Sequence, residues 1–253
     1  MKGWKTSAAA LVAAAMVTPA AFAQQASSQM GGMAAHSPAT HELYIGAVLF
    51  EKLEWGIGLD GSRSVARWDG QAWYGTDYDR IFIKTQGELE RGRRAEEAEV
   101  QVLYSRTIGY FWNLQGGVRY DVRPRPNRTY GVIGVQGLAP GLFEVDLSAY
   151  VSDRGDVSFR AEASYDIYIT QRLVLQPNVE VNFAIQRVPE LGIGSGINDV
   201  EAGLRLRYEF TREVAPYIGV NYTRRIGDTA RFARNERERV ESVEFLTGIR
   251  LFF

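Results

Sequence analysis

The sequence predicts an all-β protein, a transmembrane antiparallel β-barrel of twelve strands behind a short amino-terminal tail, and three observations carry that reading. The first is the stretch 243–253, where Val243, Phe245, Thr247, Ile249, Leu251 and Phe253 share one face of an extended strand while Glu244, Gly248 and Arg250 share the other. One face suits lipid and the other suits water. A closing strand that ends on Phe is also the signal that outer-membrane assembly machinery reads. The second observation is the number of alternating runs, twelve, even as bacterial barrels require. The third is that, beyond residue 23, no apolar run approaches the ~20 residues of a membrane-crossing helix. The chain nevertheless holds 12 Phe, 13 Tyr and 5 Trp, many of them near turns.

Taken in order, the chain opens with Lys2 and Lys5, an apolar run at 8–17 and then Ala21-Phe22-Ala23, a small-x-small site. Residues 1–23 read as a cleaved export signal, since the run is too short for a membrane anchor. Removing it takes two lysines from a chain of 29 basic and 30 acidic residues, leaving 27 against 30, a net charge of −3. Nucleic acid is therefore not expected as a partner. The absence of cysteine excludes disulfides, thiolate nucleophiles and zinc-finger sites. Residues 24–41 are rich in Ala, Ser, Gln, Gly and Met, lack a hydrophobic period, and read as a flexible periplasmic tail. The barrel is assigned to 42–253, bound for the bacterial outer membrane and its lipid.

Alternating runs fall at 43–57, 64–74, 79–91, 96–107, 111–122, 128–138, 142–152, 157–169, 172–186, 198–211, 214–226 and 238–253. The clearest places Val200, Ala202, Leu204, Leu206, Tyr208 and Phe210 against Glu201, Gly203, Arg205, Arg207 and Glu209, a pattern that helical spacing would scatter. Similar alternation sets Leu175, Val179, Val181, Phe183 and Ile185 against Gln176, Asn178, Glu180, Asn182 and Gln186. It also sets Phe143, Val145, Leu147, Ala149 and Val151 against Glu144, Asp146, Ser148, Tyr150 and Ser152. These polar faces are too charged for a packed soluble core, as a sandwich or lipocalin-like barrel would need. The expected lumen set is Glu99, Arg119, Asp121, Glu144, Asp146, Arg160, Glu162, Asp166, Glu180, Glu201, Arg205, Arg207, Glu209, Glu244 and Arg250. Its mixed signs imply cross-strand ion pairs.

Links at 153–156, 170–172 and 211–213 are tight, whereas 188–197 and 227–237 are longer. Short turns are expected on the periplasmic side and long loops outside, although the short links at 138–140 and 153–156 fall on opposite sides of such a scheme. Asp69-Gly70 inside Trp68-Asp69-Gly70-Gln71-Ala72-Trp73 suggests a bulge or turn, with the tryptophans as interfacial girdle anchors. Gly192-Ile193-Gly194-Ser195-Gly196 lacks the Lys-Ser/Thr of a phosphate loop and opens a strand, so it reads as a plain loop.

Chemistry-bearing residues are confined. The only histidines are His36 and His41, and the methionines left after signal removal are Met30 and Met33, so the barrel has neither residue type after position 41. No histidine base is available in a barrel wall, and an enzyme is not expected. Met30-Gly-Gly-Met33 followed by His36 and His41 combines thioethers suited to Cu(I) with imidazoles suited to Cu(II). On spacing alone a linker that tolerates any small or polar residue is the preferred reading of the two.

Several segments together resemble the copper resistance protein B family of outer-membrane copper-tolerance barrels. They are Leu53-Glu54-Trp55, Trp68 through Trp73, AEVQVLYSR at 98–106, LQGGVRYD at 114–121, GVQGLAP at 134–140, TQRLVLQP at 170–177, GIGSG at 192–196 and GLRLRYE at 203–209. The resemblance implies copper, Cu(I) or Cu(II), bound or handled at the outer membrane beside a periplasmic multicopper oxidase and other copper-tolerance proteins. Family members carry a Met- and His-rich amino-terminal extension, and Met30, Met33, His36 and His41 sit where it belongs, in a shorter tail. The competing expectation is a general small-solute channel with no specific metal role.

Overall fold

In the computed structural model the described residues are 43–59, 64–90, 97–123, 127–236 and 238–253. They form one antiparallel sheet of thirteen strand segments. The segments are β1 (Ile45–Gly58), β2 (Val65–Gly75), β3 (Asp79–Glu90), β4 (Glu97–Gly109), β5 (Trp112–Arg123), β6 (Arg128–Ala139), β7 (Phe143–Ser152), β8 (Val157–Ser164), β9 (Ile167–Tyr168), β10 (Leu173–Ala184), β11 (Gly196–Tyr208), β12 (Val214–Arg225) and β13 (Glu241–Phe252). Pairing of β1 with β13, and of β10 with β11, closes the sheet into a barrel. Segments β8 and β9 both pair with β10 and make a single stave, so the barrel has the twelve staves the alternation predicts.

The break between β8 and β9, where one run was expected at 157–169, has a chemical cause on the neighbouring strand. Register is unchanged across it, from Ser164 opposite Asn178 to Ile167 opposite Leu175. Between them Tyr165 donates its N–H to the Pro177 carbonyl at 3.1 Å, but Pro177 has no N–H to return. The ladder therefore lapses for two residues.

A β-bulge in β1 has larger consequences. Its register against β2 slips between Phe50 and Lys52, opposite Gly70 and Asp69, and its register against β13 slips between Phe50 and Leu53. One inserted residue exchanges the inner and outer faces of a strand, so Leu49 and Glu54, an odd number apart, both end buried on the lumen side. The bulge suspected at Asp69-Gly70 thus lies across the ladder, on β1, while β2 runs on regularly. Trp68 and Trp73 consequently face opposite ways. Trp73 stacks inside the barrel on Phe82 at 5.8 Å and lies 6.2 Å from Phe252, so it is not a girdle anchor. Trp68 lies on the outer wall, its Nε1 donating to Thr85 Oγ1 at 3.3 Å, over a position that only Gly87 leaves open: a Cβ there would sit 2.3 Å from the indole.

The turns 76–78, 110–111, 140–142, 169–172 and 209–213 cluster at the end of the barrel where β1 begins and β13 finishes. The link 153–156 lies at the other end and is merely the shortest connection described there, which resolves the apparent lapse in alternation. That end also carries the two long connections. One holds a single 3-10 turn (Pro189–Leu191) and a bridge between Val188 and Ile193. The other, expected as a plain loop at 227–237, contains a helix, α1 (Gly227–Asn235), which buries Ala230 and Ala233. It is pinned to the barrel through Asn198, whose carbonyl accepts from Ile226 N at 2.7 Å and whose side chain accepts from Thr229 Oγ1 at 3.1 Å.

The outer wall carries exposed Val102, Val118, Ile133, Leu147, Val179, Leu204 and Ile218, the apolar band that lipid requires. Rings at the end with the tight turns, Tyr44, Tyr74, Tyr78, Tyr110, Phe111, Tyr168 and Phe210, form an interfacial belt. Among the described residues no helix is long and apolar enough to cross a membrane.

Candidate functional site in the barrel lumen

The inward positions divide the lumen in two. Phe82, Leu103, Tyr130, Val132 and Tyr150, with Trp73 packed on them, make an apolar stripe on β2–β7. Facing it is a charged wall whose register is unusual, because Asp146, Glu162, Glu180 and Glu201 stand directly opposite one another on β7, β8, β10 and β11. Like charges at such positions repel. Cations from distant staves offset the repulsion: Lys84 on β3 reaches Asp146 at 3.1 Å, and Lys52 on β1 reaches Glu162 at 3.6 Å and Asp69 at 3.8 Å. Arg160 pairs with Glu180 at 3.3 Å and with Glu99 of β4 at 3.5 Å. Arg119 holds Glu99 and Asp121, each at 2.6 Å, with its guanidinium 4.8 Å from the Tyr150 ring centroid.

A second cluster is the most deeply buried. Arg205 donates to both oxygens of Glu54, at 3.2 and 3.1 Å, and to Asn178 Oδ1 at 2.7 Å, while Tyr217 Oη donates to Glu54 at 3.0 Å. Two glycines make this possible. A Cβ at Gly248 would stand 2.6 Å from the Tyr217 hydroxyl, and one at Gly203 would stand 2.2 Å from Asn178 Oδ1. Arg67 binds Glu88 at 2.7 Å and Glu244 at 2.5 Å, and Arg207 binds Asp166 at 2.8 Å and Glu209 at 3.3 Å.

Lys52–Glu162, Lys84–Asp146, Arg160–Glu99, Arg205–Glu54 and Arg67–Glu244 join staves that are not neighbours, whereas Arg67–Glu88, Arg119–Glu99 and Arg207–Glu209 lie on adjacent strands or along one. The space left among Lys52, Glu162, Asn178, Arg205, Tyr217 and Arg250 is about 20 Å³, room for roughly one water. Among the described residues, no group of three or more His, Asp or Glu is arranged to hold a metal ion. The carboxylates expected in the lumen are there, but arginine and lysine occupy most of them.

Met30, Met33, His36 and His41, the ligands expected from the sequence, lie outside the described residues. The sequence reading also passed over five lumen residues of consequence, Lys52, Glu54, Arg67, Asp69 and Lys84. For Lys52 and Glu54 the bulge hides the signal, since strict alternation through β1 puts its two ends on opposite faces. Arg67 and Asp69 were masked by the turn-like Asp-Gly.

The profile of the family described as "Copper resistance protein B precursor (CopB)" matches residues 44–253, the whole barrel. The chain belongs to the copper resistance protein B family. Copper resistance protein B of Escherichia coli is 42% identical over 222 residues, covering 88% of this chain and 73% of that one. The copper resistance protein B homolog of Pseudomonas syringae pv. tomato (strain ATCC BAA-871 / DC3000) is 40% identical over 203 residues, covering 80% and 68%. Among solved structures the NanC porin superimposes with a TM-score of 0.51 at 12% identity, covering 82% of this chain and 99% of that one, a likeness of fold alone. This member of the copper resistance protein B family is a barrel of the bacterial outer membrane with a role in copper resistance. Because outer-membrane barrels keep their short turns in the periplasm, the end bearing the tight turns is expected there and α1 outside.

Proposed function

We propose that the mature chain captures periplasmic copper with Met30, Met33, His36 and His41 on a tail that the barrel anchors to the membrane, as a binding protein rather than an enzyme. The observation that carries this reading is the confinement of every His and every remaining Met to residues 24–41. Soft thioethers favour Cu(I), imidazole accepts both oxidation states, and the intervening Gly-Gly lets the chain wrap an ion without strain. The engagement of the lumen carboxylates by arginine and lysine supports the tail over the barrel as the capture site. Onward passage through the barrel would require the cross-lumen contacts of Lys52 and Lys84 to separate. A periplasmic multicopper oxidase and other copper-tolerance proteins are the partners this reading implies.

The test is copper titration of the detergent-solubilised mature protein, with Cu(I) and with Cu(II), comparing wild type and M30A/M33A/H36A/H41A. Loss of binding in the variant supports the tail. Undiminished binding moves the site to the lumen carboxylates. Absence of binding in wild type moves a general small-solute channel to first place.

A further inference from the structure

At the extracellular rim the outer wall changes character within one strand. The outward residues of β12 run Ile218, Val220, Tyr222 and then Arg224, so hydrocarbon-facing side chains give way to an aromatic and then to a guanidinium within four outward positions. Above this point Arg224, Arg234 from the last turn of α1, and Arg239 line one open recess, together with Val240 and Glu241. Glu241 lies directly opposite Arg224 in the β12–β13 register. Its carboxylate, however, accepts from Tyr222 Oη at 3.3 Å and makes no ion pair with Arg224.

The contrast with the neighbouring arginines is informative. Arg225, next in sequence but turned to the inner face, is paired with Glu238 at 2.6 Å, and Arg187 and Arg231 both bind Asp228. The loop thus neutralises inward-facing Arg225 and the two arginines around Asp228. Arg224, on the outer wall, and Arg234, on α1 and lining the same recess, have no carboxylate partner among the described residues. Their positions do not depend on a ligand for order, because α1 is held by Asn198 and by the bond from Gly194 N to Thr229 Oγ1 at 2.8 Å.

We propose that this recess binds the phosphate groups of phosphorylated glycolipid in the outer leaflet of the outer membrane. The height on the wall argues for it, since the recess begins where the apolar band and its tyrosine end, at the level of lipid headgroups. The chemistry argues for it as well: guanidinium forks bind phosphate through paired charge-assisted hydrogen bonds. The occupant is membrane lipid and not a soluble anion, because Arg224 projects from the wall toward the bilayer.

The test uses the full mature chain in detergent micelles and measures binding of bis-phosphorylated lipid A, of lipid A with both phosphates removed, and of inorganic phosphate alone. Wild type is compared with R224Q/R234Q and with R106Q, which removes a charge from the outer wall at the opposite rim. Both variants are first checked for the heat-modifiable electrophoretic mobility of a folded barrel. The expected result is binding of bis-phosphorylated lipid A that weakens roughly tenfold or more in R224Q/R234Q, stays within about twofold of wild type in R106Q, and is absent for the dephosphorylated lipid. Equal weakening in R106Q, equal binding of the dephosphorylated lipid, or displacement of lipid A by millimolar inorganic phosphate would each overturn the proposal. If R224Q/R234Q fails to fold, R224K/R234K, which keeps the charge but loses the fork, takes its place. It should then show weakened lipid A binding, and wild-type affinity in it would equally overturn the proposal.

Discussion

Replacing Glu54 with Leu removes the acceptor at the centre of the most buried ion cluster. The Glu54 side chain is 0% exposed and that of Arg205 5%, so solvent does not screen the loss. Three hydrogen bonds end on the Glu54 carboxylate, two from Arg205 at 3.2 and 3.1 Å and one from Tyr217 at 3.0 Å. At about 1.5 kcal/mol for each bond to a charged group their loss comes to ~4.5 kcal/mol. That agrees with the 3–5 kcal/mol typical of breaking a buried pair by removing one partner. E54L and R205M should therefore each destabilise the barrel by about 3–5 kcal/mol. The double variant E54L/R205M, which leaves no buried charge stranded, should cost at least about 2 kcal/mol less than the sum of the two. The assay is equilibrium guanidinium unfolding in detergent micelles, followed by tryptophan fluorescence, arranged as a double-mutant cycle. Additive effects, or a single-variant cost below about 1 kcal/mol, would refute the claim that the pair is dry and coupled.

Other expectations follow from the same geometry. M30A/M33A/H36A/H41A should abolish copper binding yet leave guanidinium unfolding within about 0.5 kcal/mol of wild type, because the substitutions lie outside the barrel. K52S/K84S removes the cations that reach Glu162 and Asp146 from distant staves, so conductance in planar bilayers should rise above that of wild type and shift toward cations. Unchanged conductance there would mean that the occlusion lies elsewhere. G248V forces a side chain onto the Tyr217 hydroxyl and should cost about 1–3 kcal/mol in the same unfolding assay, with most of the loss recovered in G248V/Y217F if the hydroxyl is the obstacle. Removing Phe253 deletes both backbone bonds to Val48, at 2.8 and 2.9 Å, and should lower the amount of folded barrel in the outer membrane, scored by heat-modifiable electrophoretic mobility.

Much of the barrel was legible because strand period and membrane asymmetry act on every stave. Val200 through Phe210 alternate so regularly that lipid and lumen faces can be assigned without coordinates, and most of the inward acids and arginines on β4–β13 were found this way, although Arg128, Asp199 and Arg225 were not. What stayed hidden breaks the period or acts between strands. The inserted residue at the β1 bulge reverses the phase, and Pro177 interrupts a stave that is not its own. Helix α1 presents only Ala230, Phe232 and Ala233 as apolar positions, too few to register as a period. Register itself lay beyond reach. That Asp146, Glu162, Glu180 and Glu201 stand opposite one another is a property of neighbouring strands, and no single run announces it. The family resemblance, carried by segments spread from 53 to 209, identified the biology that periodicity could not.

The acidic row has a consequence for how the barrel is made. A partly assembled sheet containing only β7 to β11 would hold its four opposed carboxylates with Arg160 as their nearest counter-charge, since Lys52 and Lys84 arrive on β1 and β3. Such a fragment carries an excess of negative charge, and the counter-charges of Lys52 and Lys84 reach it when the first three strands come round to face it. Closure is thereby made close to all-or-none: the charges that look like filler in the finished lumen discourage half-built sheets from settling and favour the complete ring over any truncated one.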